Sequence, residues 1–159
     1  MAIIQPAQPF IQRPNLTEVV VIPNGTIRPV PGRQGISVLL GIGADSCGTQ
    51  GLCMNIAEIP PGHREEAHWH IDSESALYML PGSGRAVTYW GENLEQEAWT
   101  GPGDFLFFPP GVRHLGVNPS GEAARAVVAR TDNRDQLRVR TFDIPEHLAH
   151  IAVMPTVTN

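Results

Sequence analysis

Residues 63–74 read HREEAHWHIDSE and hold three of the six histidines of this 159-residue chain, together with four acidic residues. Neutral imidazoles and carboxylates are the ligands that borderline and hard divalent metals prefer. Alternation along a β-strand puts His68 and His70 on one face and turns Trp69 to the other. The stretch therefore predicts half of a metal site on a single short strand.

Two further ligands are predicted outside that pair. Glu74 follows His70 after a short turn, and alternation from Glu74 carries Tyr78 to the same side of the next strand. Residues 103–118 read GDFLFFPPGVRHLGVN, where a strand ends in a Pro-Pro-Gly turn and His114 follows three residues after the glycine. Such a turn restricts the position of the side chain after it, which makes His114 the best candidate for the fourth ligand.

Glycine and proline are frequent and divide the chain into short strand-like runs. Ten such runs are predicted, at residues 18–22, 36–43, 52–62, 67–70, 75–82, 84–90, 97–100, 104–111, 124–131 and 138–142. Only residues 145–151 look helical. An all-β barrel or jelly-roll sandwich with at most one or two short helices is the expected fold, with room inside for side chains and a small ligand.

The two histidine segments resemble the two motifs of the cupin superfamily. The first motif, G-x5-H-x-H-x(3,4)-E-x6-G, is matched by Gly62, His68, His70 and Glu74. The second, G-x5-P-x-G-x2-H-x3-N, is matched without deviation at its five fixed positions: Gly103, Pro109, Gly111, His114 and Asn118.

This resemblance implies a double-stranded β-helix, or jelly-roll, formed by one domain over residues 1–159. Motif 1 would occupy residues 62–82 and motif 2 residues 103–118, with extended tails at 1–15 and 152–159. The resemblance also implies one divalent transition metal ion per chain (Fe, Mn, Ni, Co or Zn). The ion would be held by His68, His70, Glu74 and His114.

The first motif departs from the family pattern at one place. Seven residues, not six, separate Glu74 from Gly82, so counting back from the glycine puts Ser75 in the glutamate position. Glu74 is favoured here because serine is a poor metal ligand. If Ser75 faces the metal instead, the site is a three-histidine one.

Other polar residues near the motifs have two interpretations. Glu66 either lies in a solvated loop before the strand or, because it shares parity with His68, reaches the mouth of the pocket. Glu66 and Tyr78 are the candidate proton-handling residues. Arg113 either pairs with an anionic substrate or forms an outward ion pair. His63 and Glu65 are expected in a solvated loop. The expected core residues, some of which should line the cavity, are Phe105, Phe107, Phe108, Tyr78, Leu80, Met54 and Trp90.

Composition excludes several classes of function. The net charge is −5 with no basic cluster, which argues against a nucleic-acid partner. No apolar run is long enough for a membrane span, and the first ten residues do not resemble a secretory signal, so a cytoplasmic location is expected. All eleven basic residues are arginine, which excludes Schiff-base chemistry and a P-loop lysine. Cys47 and Cys53 are expected to be ordinary thiols.

The leading functional hypothesis is a metal-dependent cupin enzyme that acts on a small-molecule substrate. Dioxygenation is the leading reaction class. The alternatives are a metal-dependent isomerase, decarboxylase or cyclase, and a non-catalytic cupin that binds a small ligand. Metal-free sugar-nucleotide epimerase chemistry is disfavoured, because the chain has little positive charge for a phosphate pocket. A homodimer is also predicted, paired through an edge strand over Leu16–Ile22, which contains three consecutive valines.

Overall fold

The computed structural model describes residues 19–151. The predicted tails at 1–15 and 152–159, and the start of the predicted strand at Glu18, lie outside this range. No helix among the described residues has the length and apolar character needed to span a membrane.

Eleven strands form two antiparallel sheets. The six-stranded sheet has the order β1-β2-β3-β10-β5-β8, with bounds β1 Val30–Pro31, β2 Ser37–Ile42, β3 Cys53–Ile59, β10 Ala124–Arg130, β5 Ser75–Met79 and β8 Phe105–Phe108. The five-stranded sheet has the order β11-β4-β9-β6-β7, with bounds β11 Val139–Thr141, β4 His68–His70, β9 His114–Val117, β6 Ala86–Trp90 and β7 Gln96–Thr100. One short helix, α1 (Ala44–Cys47), and two 3-10 turns (Asp135–Arg138 and Glu146–Leu148) complete the described fold.

The core between the sheets follows from strand alternation. In β10 the even-numbered positions are buried and the odd ones are not, so Ala124, Ala126 and Val128 form an inward apolar stripe that ends in Arg130. The stripe packs in one cluster with residues of both sheets and the segment before β2: Ile36, Val38, Ile59, Met79 and Ala86. The predicted all-β architecture is confirmed, and the enclosed interior is where the site lies.

A second apolar cluster covers the outer face of the five-stranded sheet. Leu115 and Val117 of β9 pack there with Val87, and the C-terminal segment closes over them through Leu148. Leu148 lies in the 3-10 turn that replaces the helix expected over 145–151. A seven-residue segment is too short to stabilise an isolated helix, and burying one leucine needs only a single turn.

Three expectations about elements were wrong. Residues 19–22 form no strand, and Val19 and Val21 are 92% and 76% exposed, because this segment pairs with neither sheet in the described structure. Strand β9 was not predicted, although it carries His114. Phe105 and Phe107 of β8, expected in the core, are 78% and 60% exposed, and Met54 is 46% exposed, because these side chains point away from the second sheet.

Candidate metal centre

The three motif histidines meet between two neighbouring strands of the five-stranded sheet. His68 in β4 and His114 in β9 are direct cross-strand partners, and His70 lies two residues along β4 on the same face. One ring nitrogen from each histidine lies within 4.8 Å of those of the other two, and all three side chains are buried. The predicted pairing of the two motifs is therefore present in the structure.

Backbone carbonyls orient two of the rings. Nδ1 of His68 lies 2.8 Å from the carbonyl oxygen of Glu66, and Nδ1 of His114 lies 2.8 Å from that of Val112. Because a carbonyl only accepts, each Nδ1 carries the proton and leaves Nε2 as the electron-pair donor. The Gly111 amide also donates to the carbonyl oxygen of His70 at 2.8 Å, which ties the turn of motif 2 to the ligand strand of motif 1.

His70 has no such partner. Both of its ring nitrogens are buried without a hydrogen bond to any described residue. A buried polar atom left unpaired costs about 1–3 kcal/mol, so an unpaired imidazole beside two oriented ones is an observation that a bound ion would account for. The donor set fits a metal: the buried triad of His68, His70 and His114 is compatible with one ion.

All three imidazoles are held in the neutral form that metal binding requires. Burial lowers the pKa of His68 to about 4 and that of His114 to about 3, and the positive charge of Arg130 contributes to both reductions. Burial, followed by Arg130 and the two other histidines, also lowers the pKa of His70 far below its ordinary value. At neutral pH no proton competes with a metal at these nitrogens.

A cavity of about 60 Å³ adjoins the triad. His68 and His114 border it on one side, and Leu77, Met79 and Phe108 contribute apolar wall. The Phe108 ring lies 4.4 Å from the His114 ring, centroid to centroid. Of the predicted core phenylalanines, Phe108 is the one that lines the cavity.

Glu74 is not brought into the group. Its side chain is exposed, and its backbone amide donates a hydrogen bond to Thr131 Oγ1 at 3.0 Å. Ser75 is the buried residue and lines the cavity, because β5 alternates with Ser75, Leu77 and Met79 facing inward. The spacing to Gly82 indicates the same inward position for Ser75, and the structure does not bring Glu74 to the three histidines.

The two predicted proton-handling residues do not line the cavity. The Tyr78 ring lies outside it, 4.8 Å from the exposed ring of Phe105, because it shares the outward parity of Glu74. The Glu66 carboxylate is 46% exposed and lies 3.7 Å from Arg64. Arg113 points outward, 3.3 Å from Glu92 and over the Trp69 ring, so of its two interpretations the ion pair is correct.

Glu65, expected in a solvated loop, borders the cavity instead. Its Oε2 accepts a hydrogen bond from the Gly116 amide at 2.9 Å. Burial raises its pKa, while His114, the Gly116 amide and Arg130 act in the opposite direction. Parity counted back from His68 turns Glu65 away from the site. The structure has an irregular bend between Glu65 and His68, which breaks that parity.

Arg130 is the other cavity residue that sequence reasoning missed. Its Nε donates to Ser75 Oγ at 2.9 Å, and its side chain lines the cavity from the end of β10. The signal in the sequence was the alternation of ARAVVAR, which places Arg130 on the same face as three small apolar residues. Both cysteines are buried and form no disulfide, as expected of ordinary thiols.

Residues 55–130, just under half of the chain, match the family model described as "Cupin domain". This segment contains both histidine motifs and the strands that carry them. Residues 55–130 form a cupin domain. No curated protein is detectably similar to this cupin in sequence.

Solved structures share the fold at low identity. The polyketide cyclase RemF from Streptomyces resistomycificus has a TM-score of 0.64 and 20% identity, over 81% of this chain and 89% of its own. A sugar phosphate isomerase of the cupin superfamily from Silicibacter pomeroyi has a TM-score of 0.53 and 24% identity, over 67% and 71%. The oxalate decarboxylase of Lactobacillus farciminis, in a formate complex, has a TM-score of 0.58 and 22% identity over 68% of this chain but only 32% of its own. These likenesses establish the fold, and their range of activities identifies no single reaction.

Proposed function

We propose that this cupin is a metal-dependent enzyme that acts on a small organic molecule, with a dioxygenase-type oxidation as its reaction. The observation that carries the proposal is the donor set: three buried, neutral imidazoles converge, and no described carboxylate joins them. Nitrogen donors of this kind suit Fe, Mn, Ni, Co or Zn, one ion per chain.

A divalent ion held by three histidines keeps coordination positions for substrate oxygens and for dioxygen, and it would polarise or acidify a bound substrate. The chain's own residues orient the metal ligands and form the wall of the cavity. The carbonyls of Glu66 and Val112 hold the two imidazole tautomers, and the apolar wall around Phe108 limits access of water. Water exclusion strengthens every electrostatic interaction in the site.

A redox-neutral reaction is the second candidate, and Glu65 is the observation that favours it. A carboxylate at the cavity wall, with a pKa raised by burial, has the character of a general acid or base. Proton transfer by Glu65 would serve an isomerisation, cyclisation or decarboxylation. The three similar structures named above are a cyclase, a decarboxylase and an isomerase, and these redox-neutral reaction classes support the second candidate.

The metal site is tested by substitution. His68→Ala, His70→Ala and His114→Ala each remove one of three donors, so each should lose most of its bound metal while the apolar core keeps the barrel folded. His63→Ala is the matched control, since its ring is partly exposed and contacts the carbonyl oxygen of Pro61. Elemental analysis after dialysis, with circular dichroism for folding, gives the readout. Full occupancy in all three triad variants would exclude the site.

The reaction type is tested by oxygen uptake. Protein loaded separately with each metal is offered a panel of small enolisable, catecholic and carboxylic compounds, and dissolved oxygen is recorded beside substrate loss. Oxygen consumed in step with substrate supports dioxygenation. Substrate loss without oxygen uptake, abolished in Glu65→Gln, supports the redox-neutral alternative. Stoichiometric binding without turnover would identify a non-catalytic binding protein instead.

A further inference from the structure

A second cavity, of about 450 Å³, is enclosed by β2, α1 and the segment before β11. Sites for small molecules measure about 300–1,000 Å³, so this volume is ample for a ligand, whereas the 60 Å³ beside the histidines holds only a small group. We call the two the apolar cavity and the histidine cavity. Most of the wall of the apolar cavity is formed by apolar residues: Ile27, Val30, Leu40, Ile42, Ala44 and Leu137.

The two cavities are neighbours along the inner face of the six-stranded sheet. Asn55 of β3 lines the apolar cavity, and its direct cross-strand partner on β10, Val128, lines the histidine cavity. Side chains of direct cross-strand partners lie on the same face, with Cβ atoms about 5 Å apart. Strand β3 shows the same order along its own length, because Ala57, the next inward residue after Asn55, lines the histidine cavity. The cavities therefore adjoin across one row of side chains.

The five-stranded sheet also brings the apolar cavity close to the ligand strand. Leu137 lines this cavity and lies two residues before Val139, the direct cross-strand partner of His70. The Ile71 amide donates to the carbonyl oxygen of Arg138 at 3.3 Å, which ties the segment that encloses the cavity to the end of β4. Both sheets thus place the apolar cavity next to the elements that carry the triad.

The charges at the apolar cavity lie at its rim. Arg134 Nη2 is 3.4 Å from Asp45 Oδ1, so these two charges compensate each other, and the Asp45 and Arg28 side chains are exposed. Leu137 is 52% exposed although it is apolar. A ligand that covered Leu137 and filled the apolar wall would remove this surface from water, which favours an uncharged, apolar occupant.

We propose that the substrate is amphipathic, with a small oxygen-bearing group in the histidine cavity and an uncharged apolar body, a ring system or an alkyl chain, in the apolar cavity. Burial of the apolar body would supply binding free energy that the histidine cavity is too small to provide. This inference rests on the proposed metal-dependent function and names the class of its substrate.

The test compares two hydroxamates, which share a metal-binding head and differ in the length of the alkyl tail. Protein is loaded with Co(II), and its visible spectrum is followed during titration with acetohydroxamate and with octanohydroxamate. Ala44→Phe fills the apolar cavity, and Leu137→Glu places a charge at its rim, where the exposed position tolerates the change. Leu52→Glu is the matched control, because Leu52 is also 52% exposed but lines neither cavity in the described structure.

Each buried methylene group strengthens binding about fourfold, so the wild type and Leu52→Glu should bind octanohydroxamate about a hundredfold more tightly than acetohydroxamate. In Ala44→Phe and Leu137→Glu this preference should fall about tenfold, because the tail then meets a filled cavity or a charge. Their affinity for acetohydroxamate should stay that of the wild type. Equal affinity of the wild type for the two probes would overturn the inference, and so would an undiminished preference in both variants. If Ala44→Phe does not fold, Leu137→Glu decides alone.

The chain's own N-terminal segment is the other occupant to be tested. Residues 1–18 lie outside the described structure. If the wild type does not prefer octanohydroxamate but a variant that begins at Val19 does, that segment fills the apolar cavity and the inference is overturned.

Failure of the metal site itself is recognised separately. If no variant takes up Co(II), the proposed function is wrong, and the apolar cavity is judged in the metal-free protein with the apolar dye Nile red. Its fluorescence should rise with the wild type and Leu52→Glu and rise less with Ala44→Phe and Leu137→Glu. An equal rise with all four proteins would overturn the inference.

Discussion

Glu74 and Ser75 differ by one position in the chain and by the side of the sheet on which they lie. Ser75 is 2% exposed and faces the cavity, whereas Glu74 is exposed to solvent. We expect Glu74→Gln to retain metal as fully as the wild type, because its carboxylate is remote from the triad. Elemental analysis of dialysed protein checks this, with His114→Ala as the metal-losing reference. Loss of metal from Glu74→Gln would restore the four-ligand site.

The buried histidines also make the stability of the metal-free protein depend on pH. The ordinary histidine pKa is 6.5, whereas burial lowers that of His68 to about 4 and that of His114 to about 3. Below pH 6.5 these histidines therefore bind protons in the unfolded chain but stay neutral in the folded chain. The free energy of unfolding should fall as the pH drops from 6.5 towards 4, by about 2 kcal/mol per histidine at pH 5.

Urea unfolding in the presence of a chelator, at pH 7.5 and pH 5, measures this loss. The raised pKa of Glu65 acts in the opposite sense, because the folded state then holds its proton more tightly, so the net fall is smaller than the sum for the histidines. His114→Gln removes one titrating group and should show a smaller fall than the wild type. Stability that is unchanged between the two pH values would contradict the buried, neutral triad.

At the scale of elements, the close contact between β9 and the segment before β4 requires a glycine at position 116. A Cβ atom added at Gly116 would lie 2.7 Å from Glu65 Oε2 and 3.0 Å from Ile59 Cδ1. The Glu65 carboxylate can therefore occupy its place over β9 only because residue 116 is glycine. We expect Gly116→Ala to lower the free energy of unfolding by about 1–3 kcal/mol, as overpacking does.

A double-mutant cycle identifies the contact. Glu65→Ala removes the clashing carboxylate, so adding Gly116→Ala to it should cost less than Gly116→Ala costs in the wild type. Denaturant unfolding of the four proteins gives the coupling free energy. Additive effects would mean that the new methyl group is resisted by Ile59 rather than by Glu65.

At the scale of the whole molecule, residues 19–151 cover the outer faces of the two sheets to different extents. The C-terminal segment packs on the five-stranded sheet through Leu148. Across the six-stranded sheet, the strand pairings align two rows of outward apolar side chains. The rows are Leu39, Ile56, Val127, Tyr78 and Phe105, and Met54, Ala129, Ala76 and Phe107.

We propose that a second copy of this chain covers that face. The rows cross five strands, about 20 Å at the usual strand spacing, which suits the centre of an interface of about 800 Å² per partner. Arg125 and Glu58 lie beside the rows with opposite charges, so a two-fold axis would let each meet its complement. The homodimer predicted from residues 16–22 is thus proposed on a different surface.

Charged substitutions test the dimer. Phe105→Glu with Phe107→Glu should give a monomeric mass by sedimentation velocity, because burying two carboxylates in an apolar interface is costly. Trp99→Glu is the matched control: Trp99 is 52% exposed, but it lies on β7 in the other sheet. A wild-type monomer at micromolar concentration, or a Phe105/Phe107 variant of dimeric mass, would refute this arrangement. The cytoplasmic location and the absence of nucleic-acid and membrane partners stay predictions.

Local pattern was enough for much of the fold and for the three histidines that the structure brings together. Period-two alternation and Gly/Pro turns located nine of the eleven strands, β2–β8, β10 and β11, because those signals arise within a few neighbouring residues. His68, His70 and His114 were predictable for the same reason: an H-x-H strand and a Pro-x-Gly turn each fix a side chain locally.

Tertiary contacts decided what local pattern left open. Parity could not be carried across the turn at residues 71–74 or the bend before His68, because irregular backbone does not preserve a two-residue period. Glu74 and Tyr78 were therefore placed inside, and Glu65 was placed outside. Which strands become neighbours also decides the inward position of Arg130 and the exposure of Phe105 and Phe107. A sequence by itself determines the faces of each strand, and only the pairing of distant strands decides which face becomes interior.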